Sequence, residues 1–96
     1  MKSRTFITIP IRNEYYGRKP FKLGKLLTLT KEPDNIHDNE AIKVSVPGID
    51  TVGYVANSEY TLIPEVKSAS QIVHTRLTQA KVMFILFDEW VIAKLI

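Results

Sequence analysis

Residues 31–55, KEPDNIHDNEAIKVSVPGIDTVGYV, decide the fold. From Ala41 to Val46 the side chains alternate, which puts Ile42, Val44 and Val46 on one face of a strand at a period of two. Pro47-Gly48-Ile49-Asp50 is a turn sequence, and Thr51 to Val55 is the returning arm of a hairpin. Ahead of the hairpin, Pro33, Asp34, Asn35, Asp38 and Asn39 lie between two apolar strands. Asn and Asp side chains bond their own backbone and tolerate left-handed geometry, so this segment reads as a polar loop that satisfies itself.

Working outward, Phe6 to Ile9 is a strand closed at Pro10 or shortly after, because Pro cannot donate to a ladder. Ile7, Ile9 and Ile11 share its inner face. Residues 12–22 form a loop, broken by Asn13, Gly17 and Pro20. Leu23 to Thr30 is a second strand with Leu23, Leu27 and Leu29 inward. Lys25 falls on the same face, so the strand bends at Gly24 or holds Lys25 beyond the core edge. After the hairpin, Asn57-Ser58 offer a helix N-cap, and Pro64 limits that helix to about one or two turns. A second short helix is expected near Ser68 to Val73. Gln79 to Phe87 is the strongest strand, Asp88-Glu89 a turn, and Trp90 to Leu95 the last strand, whose free edge would be open to pairing in a dimer. No window keeps an apolar period of 3.6 for three turns, which argues against a helical fold. Six short strands with one or two short helices make a mainly β, partly open barrel or an α+β fold.

The chain of 96 residues suffices for one domain, residues 1–96, with one modest core. With 45% apolar and 24% charged residues it reads as a soluble globular protein rather than a disordered one. There is no cysteine, so disulfides, zinc-thiolate sites and cysteine nucleophiles are excluded, and a cytoplasmic location is the compatible expectation. Thr5, Thr8 and Pro10 interrupt the apolar residues that follow the basic start, so no signal-peptide core is expected, and the apolar run Val82 to Phe87 is far too short for a bilayer. The net charge of +3 conceals a segregation: residues 1–31 carry +7, residues 32–65 carry −6, and residues 66–96 carry +2. A basic, tyrosine-containing third suits a polyanion surface. The plain alternative is a fold in which the charges interleave on collapse.

Enzyme signatures are weak. Pro33, Asp34, Glu40 and Lys43 approach a metal-dependent nuclease pattern, but that pattern needs Glu-x-Lys on one strand face. Glu-x-x-Lys sends the two side chains to opposite faces. Asp34, His37 and Asp38 lack zinc or calcium-loop spacing, so no metal and no cofactor is expected. No G-x-S-x-G or glycine-rich phosphate loop occurs. Binding is better supported. Tyr15 and Tyr16 lie beside Arg12, Arg18 and Lys19, and single strands are held by rings that stack bases and cations that follow phosphates. The structural alternative is one tyrosine packed on the barrel and the other merely exposed.

The pattern EPxNxxDxxAIxV over residues 32–44, followed by Val52-Gly53-Tyr54, resembles the HIRAN domain, found in fork-remodelling helicases and as a stand-alone bacterial protein. Tyr15-Tyr16-Gly17 also matches that family's first loop. The resemblance covers most of residues 5–60 and implies an OB-like, partly open six-stranded β-barrel. It further implies a non-enzymatic domain that holds single-stranded DNA or 3′ DNA ends in repair or replication-fork processing, alongside a helicase or other repair protein and without a membrane. Carried over, Tyr15 corresponds to a base-stacking tyrosine, and Asp38 to the aspartate that accepts a hydrogen bond from the terminal 3′ hydroxyl. Asp34 and Asn35 fall where the loop approaches the end nucleotides.

Four positions depart from the family. An arginine is replaced by Glu14, an aromatic residue by His37, a histidine by Tyr54 and a lysine by Asn57. Two phosphate-facing positions thereby lose positive charge, which Arg12, Arg18, Lys19 or Lys22 would have to supply from nearby. The alternative is a protein-interaction module that keeps the fold without the DNA-end pocket.

Overall fold

A computed structural model describes residues 5–36, 39–56, 66–67, 69–72 and 78–96. Six antiparallel strands make up almost all of its regular secondary structure: β1 (Phe6–Pro10), β2 (Leu26–Glu32), β3 (Ala41–Val46), β4 (Ile49–Tyr54), β6 (Gln79–Leu86) and β7 (Trp90–Leu95). A two-residue strand, β5 (Val66–Lys67), adds to β1 in parallel, and a single helical turn, α1 (Ala69–Ile72), follows it. The sheet order is β4-β3-β2-β6-β7-β1-β5. β1 and β4 draw together through the Ala56 N–H, which donates to the Thr8 carbonyl at 2.7 Å, but no ladder joins them among the described residues. The fold is therefore mainly β, OB-like and partly open rather than a closed barrel.

The inner face collects the alternating apolar residues: Ile7 and Ile9 from β1, Leu27 and Leu29 from β2, Val44 from β3, Val52 from β4, Val82 from β6, and Val91 and Leu95 from β7. Burying each such side chain is worth about 1.5–3 kcal/mol against leaving it in water. The turn between β3 and β4 needs only Pro47 and Gly48. The proline ring holds φ near −65°, and Gly48 supplies φ +87°, the pair of angles a type II turn requires.

Four expectations are corrected, the last of them at the β6–β7 turn. β2 begins at Leu26, not Leu23, because Gly24 turns the chain at φ +82° and leaves Leu23 69% exposed. β4 begins at Ile49, which pairs with Val46, so residues 49–50 belong to the strand and not to the turn. The last strand offers no free edge, since β7 lies between β6 and β1. The short helix expected near 68–73 is α1, whereas the one expected after Asn57-Ser58 lies outside the described residues.

β6 and β7 meet in a tight turn that begins one residue earlier than the sequence suggests. The Glu89 N–H donates to the Leu86 carbonyl at 2.9 Å, with Phe87 at φ +54° and Asp88 at φ +53°. Two positive φ values define a type I′ turn, which fits the right-handed twist of the strands. Glycine and asparagine favour those angles, and a side chain such as phenylalanine holds them at a cost of about 1–2 kcal/mol.

Candidate nucleic-acid interface

The first loop is an organised turn. Arg12 opens it in an extended conformation, and its carbonyl accepts from both the Tyr15 N–H and the Gly17 N–H at 3.0 Å. Asn13–Tyr15 form a one-turn 3-10 helix. Tyr16 (φ +74°) and Gly17 (φ +58°) then reverse the chain in left-handed geometry. Phe21, buried in the core, anchors the far end. This construction leaves Tyr15 half-buried and Tyr16 62% exposed.

Tyr15 meets Tyr54 edge-on, with ring centroids 6.0 Å apart and planes at 60°. Tyr54 belongs to the outward face of β4, paired in register with Lys43 on β3, which is paired in turn with Thr30 on β2. Glu32 lies two residues on along the same outward face of β2. It joins two predicted positions. The Tyr54 hydroxyl donates to its carboxylate, and so does Asn35 Nδ2, at 3.3 Å to Oε1. The Asn35 backbone N–H also closes a turn on the Glu32 carbonyl at 3.1 Å. Tyr15, Tyr54, Glu32 and Asn35 are thus one connected cluster that ties the first loop, the Val-Gly-Tyr segment and the polar loop together. Lys43 is occupied by Asp50, Nζ to Oδ1 at 3.0 Å, and that hydrogen bond and charge hold the Asp50 carboxyl below its usual pKa.

Burial raises the Tyr54 phenol to about 12, and the Glu32 hydrogen bond and charge add to the rise. The neutral phenol is the form the fold favours. Its contribution to stability is therefore complete below pH 10 and is lost as pH rises through about 12. A tyrosinate absorbance titration is expected to show one late step near pH 12 that Tyr54→Phe removes. A late step that persists in Tyr54→Phe would assign it to a tyrosine other than Tyr54.

Other predicted cations are engaged. Arg12 Nη1 lies 3.9 Å from Glu14, and Arg18 Nη1 lies 2.7 Å from Asp88 on the β6–β7 turn. Both pairs are exposed, so each is worth no more than about 1 kcal/mol and exchanges readily for another anion. Lys19 and Asp34 are exposed. His37, Asp38 and Asn57 lie outside the described residues. Among the described residues no three His, Asp or Glu side chains gather as a metal site needs, and no helix is long and apolar enough to cross a membrane.

Sequence reasoning missed Glu32 as a site residue. The available signal was parity: Thr28, Thr30 and Glu32 share the outward face of β2. Which β4 residue would face them depends on the register of two ladders.

Fold and surface together define a small, mainly β, OB-like domain with tyrosines, amides and charges gathered where its first loop meets β4. The model of the HIRAN domain family matches residues 7–86, and the chain belongs to that family. Such domains generally bind nucleic acid and are not themselves catalytic. A crystal structure of a protein from Lactobacillus plantarum shares the fold at a TM-score of 0.64 and 16% identity, covering 97% of this chain and 90% of that one. No curated protein matches the chain significantly.

Proposed function

We propose that this HIRAN domain binds single-stranded DNA or exposed 3′ DNA ends without catalysing a reaction, and serves DNA repair or replication-fork processing in the cytoplasm beside a helicase or another repair protein. The observation that carries the reading is the Tyr15–Tyr54–Glu32–Asn35 cluster. It brings an aromatic platform against the polar loop that contains Asp34 and leads to Asp38. In this reading Tyr15 stacks the terminal base, Asp38 accepts the 3′ hydroxyl, and Arg12, Arg18 and Lys19 follow the phosphates, with Tyr16, His37 and Asn57 completing the groove. Glu32 acts through Tyr54 and Asn35 as a positioning residue.

The test is fluorescence anisotropy of a labelled single-stranded oligonucleotide carrying either a 3′ hydroxyl or a 3′ phosphate, at low and physiological salt. Preference for the free hydroxyl is the expected result. Affinity should fall with salt as phosphate contacts release counterions, with a log–log slope of about −0.7 per contact. Equal binding to both ends would remove the end pocket and leave a general strand binder. Absence of binding to either would favour the second reading, a protein-interaction module. That reading has its own support: Glu14 stands beside the tyrosines, and Asp88 and Asp50 already occupy Arg18 and Lys43.

A further inference from the structure

Two large aromatic residues, Tyr16 and Phe87, are held in left-handed backbone geometry, and both are exposed, Phe87 at 81%. Neither ring gains burial in the core to offset the strain, and glycine would fit both positions better. Exposed strain of this kind gathers at binding surfaces, where the side chain is needed outside.

The two residues sit on adjoining segments. The Ile11 N–H donates to the Glu89 carbonyl at 2.8 Å, Arg18 reaches Asp88 at 2.7 Å, and Pro10, which leads into the first loop, is paired with Trp90. Trp90 is 41% exposed, opposite half-buried Leu86 on the outward face of the hairpin. The β6–β7 turn thus continues the surface of the tyrosine loop, with Arg12 and Arg18 alongside. Asp88 counts against an anionic partner, and its pairing with Arg18 at 2.7 Å offsets that charge only while the pair stays intact.

We infer that Phe87 and Trp90 form a second stacking platform, for bases further along the same nucleic-acid strand that Tyr15 engages. The inference rests on the proposed function and extends its groove around the rim of the sheet. A single strand is the occupant that the juxtaposition favours: every base has a face to stack, so exposed rings beside guanidinium groups accept it regardless of sequence.

The experiment compares wild type, Phe87→Gly and Tyr15→Ala in binding single-stranded oligonucleotides of about 4 and about 12 nucleotides, the span of site sizes for such folds. Anisotropy is read alongside the fluorescence of Trp90, the sole tryptophan. Phe87→Gly is expected to raise or preserve the melting temperature and to weaken the longer oligonucleotide about tenfold. It should leave the shorter one unchanged and reduce the quenching of Trp90. Tyr15→Ala is expected to weaken both. Unchanged affinity and quenching in Phe87→Gly, with Tyr15→Ala impaired, would overturn this inference and leave the proposed function standing. A lowered melting temperature in Phe87→Gly would make the ring structural and also overturn it. No binding by wild type would overturn both.

Discussion

Tyr15→Ala is expected to weaken binding of a single-stranded oligonucleotide by about 1–3 kcal/mol, roughly 5- to 150-fold, the usual worth of one stacked base. The ring is well prepared for the task. It sits on an ordered turn, fixed by two hydrogen bonds to the Arg12 carbonyl, and its edge-on contact with Tyr54 restrains it further. A ring already held in place loses little entropy when a base lands on it, so more of the stacking energy survives as affinity. The Tyr15–Tyr54 contact also contributes to the fold, by about 0.5–1.5 kcal/mol for an aromatic pair, so Tyr15→Ala should lower the melting temperature modestly. Tyr15→Phe separates the two effects. It keeps the ring, so affinity should stay near that of wild type if stacking is the interaction. Isothermal titration of both variants decides the matter. Wild-type affinity in Tyr15→Ala would take this tyrosine out of the interface, and loss of binding in Tyr15→Phe would transfer the role to its hydroxyl.

How far the site could be read in advance depends on the range of each interaction. The bounds of β3 and β7 agree with the structure: those of β3 follow from the alternation of Ile42, Val44 and Val46, and the start of β7 from the turn residues Asp88-Glu89, since Val91, Ile92 and Ala93 are buried in succession. The start of β2 was less legible. Lys25 on the face of Leu23 and Leu27 signals a bend at Gly24, as found, but not that the strand begins only after it, at Leu26. The joining of Tyr15 to Tyr54 and of Tyr54 to Glu32 requires the register of two ladders and the closure of one loop, none of it local. Arg18 and Asp88, far apart in the chain, are harder still, since unrelated surface charges carry no pairing signal. Phe87 misleads for another reason. Aromatic residues favour strands, so Phe87 reads as the end of β6, whereas the hairpin's twist demands a type I′ turn there. Locally disfavoured geometry of that kind tends to coincide with function.

Gly53→Ala is expected to destabilise the fold by about 1–3 kcal/mol, the usual cost of forcing a methyl group into a packed core. At about 4–8 °C per kcal/mol for a domain of this size, a thermal melt will resolve it. Gly53 is buried, and a Cβ there would stand 3.0 Å from Ile9 Cγ2, 3.6 Å from the Pro10 carbonyl oxygen and 3.9 Å from Phe21 Cζ. The requirement is space, where β4 crosses close to β1. Ile9 is fully buried and cannot swing aside, so β1 itself must yield, at the point where the Ala56 N–H reaches the Thr8 carbonyl. The clash involves one methyl group, which allows a sharper test. Leucine at position 9 is not branched at Cβ and so lacks Cγ2. Ile9→Leu alone should cost less than about 1.5 kcal/mol, and combined with Gly53→Ala the total should fall short of the sum of the two. Strict additivity would assign the glycine to some other constraint. The consequence reaches the binding surface. Gly53 precedes Tyr54, and Pro10 leads into the loop that carries Tyr15, so the close approach of β1 and β4 sets the two rings 6.0 Å apart. Pushing the strands apart at Gly53 should therefore weaken the aromatic contact before the domain unfolds.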